Sequence, residues 1–86
     1  MSRAAIISII LNQPHQHQRP CNDLISEYSS IIRGRMGIPF EQGRVAMISL
    51  TVVAELDAIN GFIKKLGELP GATVKAAITD GDISQS

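Results

Sequence analysis

Two stretches of helical periodicity, each set between runs of β-branched residues, account for nearly the whole chain. In order they read strand, helix, strand, strand, helix, strand, and 86 residues leave no room for a second domain beside them. Such a pattern buries its apolar faces by laying both helices on one side of an antiparallel sheet. The expected fold class is therefore α+β, a βαββαβ two-layer sandwich with a four-stranded antiparallel sheet and two helices on one face. Residues 1–80 form its single domain, and residues 81–86 form a flexible polar C-terminal tail.

The strands can be read residue by residue. Residues 3–11 are almost all apolar, which suits a central strand touched on both faces. Ala5, Ile7, Ile9 and Leu11 point one way, and Ala4, Ile6, Ser8 and Ile10 point the other. In residues 44–53, Ala46, Ile48, Leu50 and Val52 face the core, with Val45, Met47, Ser49 and Thr51 opposite. Residues 31–40 carry Gly34, Gly37 and Pro39, the marks of an edge or bulged strand. Simple alternation there puts Ile32, Met36, Ile38 and Phe40 on one face and Arg33 and Arg35 on the other, open face. The last strand, 72–79, turns Val74, Ala76 and Ile78 inward.

The helices follow from spacing and from proline. Cys21, Leu24, Ile25 and Tyr28 make one apolar stripe, and Leu56, Ile59, Phe62, Ile63 and Leu66 make the other. Pro20 is comfortable only in a first turn, so the first helix is expected to start near His17. Lys64 and Lys65 suit the end of the second helix, and Gly67 is expected as its left-handed cap.

With both helices on one side, the other sheet face is left open. It should present Ile6, Ile10, Val45 and Met47 together, a patch as large as the several hundred Å2 that marks an interaction site. That face, or a strand edge, is expected to meet further copies of the chain as a dimer or tetramer. Lys and Arg number 8 against 8 Asp and Glu, so no net field gathers nucleic acid or an anionic membrane. RNA-binding modules of this topology stack bases on aromatics of the central strands, and residues 3–11 and 44–53 contain none. A single cysteine fits a reducing compartment, the run 4–11 ends without a cleavage site, and no stretch is long enough to span a bilayer. The expected location is the cytoplasm.

The segments RGRMGIPF (33–40), AMISLTV (46–52) and LGELPGATVKAAI (66–78), with LISEYSSIIRGRMGIP upstream, resemble a family of small regulators encoded with the iron-only hydrogenase system. That family is similar to ACT domains and to the C-terminal domain of the nickel-responsive repressor, both of ferredoxin-like βαββαβ fold. The resemblance implies dimers packed side by side or back to back, and a small effector held near the loop after the first strand. Here that loop reads Asn12-Gln13-Pro14-His15 where amino-acid-binding ACT domains have Asp-x-Pro-Gly, so recognition of the usual amino-acid kind is not expected. Nothing corresponds to the repressor's DNA-binding half, so any effect on transcription needs a protein partner.

Candidate site residues are few. Asn12, Gln13 and His15 lie in the implied effector loop, and Arg33 and Arg35 could hold a carboxylate or phosphate. Charges on an edge strand also keep other chains from pairing with it. His15, His17 and Cys21 offer the donor types that suit Zn2+, Ni2+ or Cu2+, although a cysteine on an apolar stripe equally fits the core. The chain lacks Gly-x-Ser-x-Gly, Cys-x-x-Cys and facing carboxylates, so no enzymatic activity is expected. The reading is a small ACT-like regulatory domain that senses an effector or signals by self-association. The alternatives are an interaction module without a ligand and a metal-responsive binding domain.

Overall fold

In the computed structural model, which describes residues 1–83, the chain forms β1 (Ser2–Asn12), α1 (Pro14–Glu27), β2 (Ile32–Phe40), β3 (Val45–Glu55), α2 (Leu56–Gly67) and β4 (Ala72–Ile78). The sheet runs β2-β3-β1-β4, antiparallel throughout. This is the expected βαββαβ two-layer sandwich of ferredoxin-like topology.

β1 lies between β3 and β4, and its alternation decides what is buried. Ala5, Ile7, Ile9 and Leu11 are no more than 3% exposed. Across the ladder Ala5 faces Val52, Ile7 faces Leu50, and Ile9 faces Ile48, so the floor of the core continues onto β3. Above it α1 brings Cys21 and Ile25, and α2 brings Ile59, Phe62 and Leu66, all buried. Each such large apolar side chain contributes about 1.5–3 kcal/mol by leaving water. The helices meet where Tyr28, at the end of α1, stacks on Phe62 with ring centroids 4.2 Å apart and planes inclined by 18°. Lys65 places its ammonium 5.4 Å from the Tyr28 ring centroid, on an aromatic face that favours a cation.

Several local expectations are corrected. α1 starts at Pro14, not near His17, and Pro20 lies inside it. Pro20 cannot donate to the Gln16 carbonyl, but both residues are exposed, so water can take that carbonyl. Gly67 ends α2 without a left-handed conformation; the glycines with positive φ are Gly43 (87°) and Gly71 (79°), in the turns before β3 and β4. Ala76 pairs with Ile7 on the helix side yet is exposed, its strand being at the sheet edge. Residues 81–83, expected as loose tail, lie along the start of β1: Ile83 N–H donates to the Ser2 carbonyl at 2.8 Å. The rest of the expected tail, 84–86, lies outside the described residues.

The correction with the largest consequence concerns β2. Ile32 faces Val52 and Gly34 faces Thr51, so β2 advances two residues while β3 advances one. This bulge at Arg33 reverses the alternation of everything after it. Arg35, Gly37 and Pro39 come to lie opposite Leu50, Ile48 and Ala46 on the helix side. Met36, Ile38 and Phe40, expected to share a face with Ile32, turn to the open side opposite Ser49, Met47 and Val45.

Phe62 is fully buried and stacked, so Phe62→Ala should cost about 3–5 kcal/mol in urea unfolding, the range for large aromatic deletions. A loss below about 1 kcal/mol would mean that the helix pair does not depend on this contact.

Candidate functional site

The reversal in β2 builds the open face. Of the seven exposed large hydrophobic residues among those described, six lie there: Ile6, Ile10, Met36, Ile38, Phe40 and Met47, between 38% and 64% exposed. The register sets them in rows. Ile38, Met47, Ile10 and Thr73 cross the sheet in one row, and Phe40, Val45 and Asn12 in the next. Met36, Ser49, Ser8 and Lys75 form a more polar row alongside, and Gly34, Thr51, Ile6 and Ala77 form the row after that. Large side chains therefore stand at the β2 end of the face. At the other end Ala4, Thr51, Ala77 and Ile6 line a shallow depression of about 390 Å3.

The expected interface residues Ile6, Ile10, Val45 and Met47 are thus brought together, with Val45 half-buried and the others exposed. Met36, Ile38 and Phe40 were missed. The signal that could have found them is Gly34, since a glycine inside a strand marks the place where alternation breaks.

The loop after β1 is tightly held. Gln13 adopts a left-handed conformation (φ 47°) and donates its N–H to the Arg44 carbonyl at 2.7 Å, while Asn12 N–H donates to the Gly71 carbonyl at 2.9 Å. His17 closes the same corner: its Nδ1–H donates to the Asn12 carbonyl at 2.7 Å, and its ring lies so close to Gly71 that a β-carbon there would collide with it. Asn12, Gln13 and His15 are exposed, so of the expected effector loop the side chains face water while the backbone is spoken for.

The expected metal donors are placed apart in character. His15 is exposed, His17 offers only Nε2, and Cys21 is fully buried on the inner face of α1. Among the described residues no three His, Cys, Asp or Glu side chains gather as a metal site. Burial pushes the Cys21 thiol above its ordinary pKa, and the positive charge of Arg35 opposes this in part. Arg33 and Arg35 do not share the open face as expected. Arg33 sits in the bulge, whereas Arg35 turns to the helix side and donates from Nη2 to Asn22 Oδ1 on α1 at 2.9 Å.

With this geometry in hand, comparison with known proteins decides the family. A family described as "Iron-only hydrogenase system regulator, putative", the TM1266-like family, matches residues 3–76. The chain belongs to the TM1266-like family. Its fold is similar to that of the uncharacterized protein TM1266 from Thermotoga maritima, with a TM-score of 0.85 and 28% identity over 91% of this chain and 98% of that one. None of the curated proteins matches the chain. The matched span takes in β1 through most of β4, so the corner at Gly71 and the rows of the open face, apart from Ala77, lie within the TM1266-like part of the chain. Among the described residues no helix is long and apolar enough to cross a membrane.

The corner makes Gly71→Ala costly twice over, through its positive φ and through the His17 ring. The left-handed backbone alone costs about 1–2 kcal/mol, and the collision should add to it. In a His17→Ala background the same substitution should fall back toward the backbone cost. Urea unfolding of the two single variants and the double variant measures the difference; strict additivity would mean that the ring and the glycine do not meet.

Cys21 should resist thiol reagents in the folded protein and react only on unfolding. Because the folded state holds the thiol proton more tightly, unfolding releases it once pH exceeds the free value of about 8.5, so stability falls as pH rises past that point. Cys21→Ala should lose less stability than the parent between neutral pH and about pH 9.5. Equal losses in urea unfolding would contradict this.

Proposed function

We propose that this TM1266-like chain is a non-catalytic, ACT-like regulatory domain of the iron-only hydrogenase system. It works in the cytoplasm by pairing with a second copy of itself through the open sheet face, and it answers a small effector by a change in that pairing. The regulatory role follows the family description. The observation that carries self-association is the gathering of Ile6, Ile10, Met36, Ile38, Phe40 and Met47 on one face while the opposite face forms the core.

The size of the face agrees with this reading. Four strands about 4.8 Å apart, each contributing about seven residues at roughly 3.3 Å, present about 450 Å2 in projection. The relief of the side chains brings the area that a partner can cover toward the roughly 800 Å2 per side of a standard interface. Shape agrees as well. The large residues near β2 and the small-residue depression near Ala4 and Ala77 occupy opposite ends of one face, so a two-fold axis near the Ser8–Ser49 pair lets each copy seat its large residues in the depression of the other. An axis there also brings Ser8 and Ser49 of the two copies close together, so their hydroxyls can meet.

Sedimentation equilibrium should find an assembled parent protein and a Met47→Glu variant that is monomeric with unchanged helical circular dichroism. Burying an unpaired carboxylate at the interface costs about 3–5 kcal/mol, enough to weaken assembly by at least two orders of magnitude. A monomeric parent, or a Met47→Glu variant that still assembles, would overturn the proposal.

A further inference from the structure

On the helix side α1 leaves β2 uncovered, and a groove of about 240 Å3 runs between them. Leu11, Ala46, Ile48 and Pro39 give it apolar walls. Gln18 and Asn22 on α1 and Arg35 on β2 supply polar groups, and no acidic residue lines it. Gly37 leaves the middle open: a β-carbon there would meet nothing within 4 Å, and its register opposite Ile48 aims that position at the groove.

Arg35 gives the groove its chemistry. Among the described residues no carboxylate pairs with the Arg35 guanidinium. It is steadied instead by the neutral Asn22 amide at 2.9 Å, a bond that uses one N–H and leaves most of the planar fork available. A fixed guanidinium beside an apolar slot matches a planar anion carried on an apolar body.

We infer that this groove binds a small monocarboxylate with an apolar body, its carboxylate on Arg35 and its hydrocarbon part against Leu11, Ile48 and the open position at Gly37. The volume corresponds to about eight water-sized positions, which sets the ligand's size. An amino acid fits less well, since its ammonium would find no acid in the groove. Phosphate fits less well too, since one guanidinium neither balances its charge nor uses the apolar walls. The inference rests on the effector half of the proposed function and does not depend on self-association, because the groove and the open face lie on opposite sides of the sheet.

The test is an NMR titration of the full chain with sodium benzoate and sodium 4-methylpentanoate, with benzamide and inorganic phosphate as comparisons. Saturable shifts are expected at the Gly37 amide, Arg35 Nε–H and the Asn22 and Gln18 side-chain amides, with a Kd near about 1 mM for ligands of roughly nine heavy atoms. Arg35→Gln should weaken benzoate by at least about tenfold, as the loss of a charge-assisted pair requires. Gly37→Val fills space that the fold leaves empty with a strand-forming residue, so it should abolish binding while keeping a dispersed spectrum. Shifts outside the groove, benzamide or phosphate binding as tightly as benzoate, an unweakened Arg35→Gln, or no saturable shift would each overturn the inference. Sedimentation keeps the two proposals separate. A parent that assembles but takes up no carboxylate overturns the groove alone, and a monomeric parent that binds benzoate overturns self-association alone.

Discussion

Ile7 and Ile9 lie at the centre of the molecule, with β3 on one side, β4 on the other and the two helices above them. Their burial is possible because β1 alternates strictly: a slip of one residue would bring Ile6, Ser8 and Ile10 under the helices and place a hydroxyl in the core. The other elements take their positions from this strand. β3 pairs with it along its full length, β4 along most of it, and the ends of β3 and β4 are tied to the loop after β1 by the Gln13–Arg44 and Asn12–Gly71 hydrogen bonds. The same alternation that gives the helices a floor necessarily produces a second, unpartnered face.

What could be read from the sequence divides along physical lines. Strict alternation in residues 3–11 and 44–53 and the stripe from Leu56 to Leu66 each report a local period, and all were legible. The open-face residues Ile6, Ile10, Val45 and Met47 followed from that period. The side taken by Met36, Ile38 and Phe40 did not, because a bulge depends on how Thr51 pairs with Gly34 across the sheet and shifts the period without changing composition. Pro20 points to a later start of α1 than the structure has, because propensity alone does not contain the packing of Cys21 and Ile25 against the sheet. The contact between His17 and Gly71 joins residues distant in sequence and could be seen only once the strands were in place.

The candidate site shows the same division. Both arginines are of a type that holds anions, and Arg35 keeps that potential, but on the other side of the sheet from where simple alternation puts it. Arg35 needs the bulge to reach Asn22, and the groove needs both the bulge and a glycine at 37. Strand β2 is consequently a shared wall, with Arg35, Gly37 and Pro39 facing α1 and Met36, Ile38 and Phe40 facing outward. A displacement of this strand is felt on both sides, so the groove and the open face are joined mechanically through a single element.

Nearly every residue of β2 is exposed, and by side-chain burial alone it is the strand most open to substitution. Its length is another matter. Removing the extra residue at the bulge would make Ile32–Val52 and Gly34–Thr51 successive regular pairs and leave Arg35 on the helix side and Met36, Ile38 and Phe40 on the open side. One added residue beyond the bulge, taken up in regular pairing, would instead invert whatever follows it. The strand can therefore lose its extra residue without inverting, while a single-codon insertion beyond the bulge exchanges the two surfaces it serves.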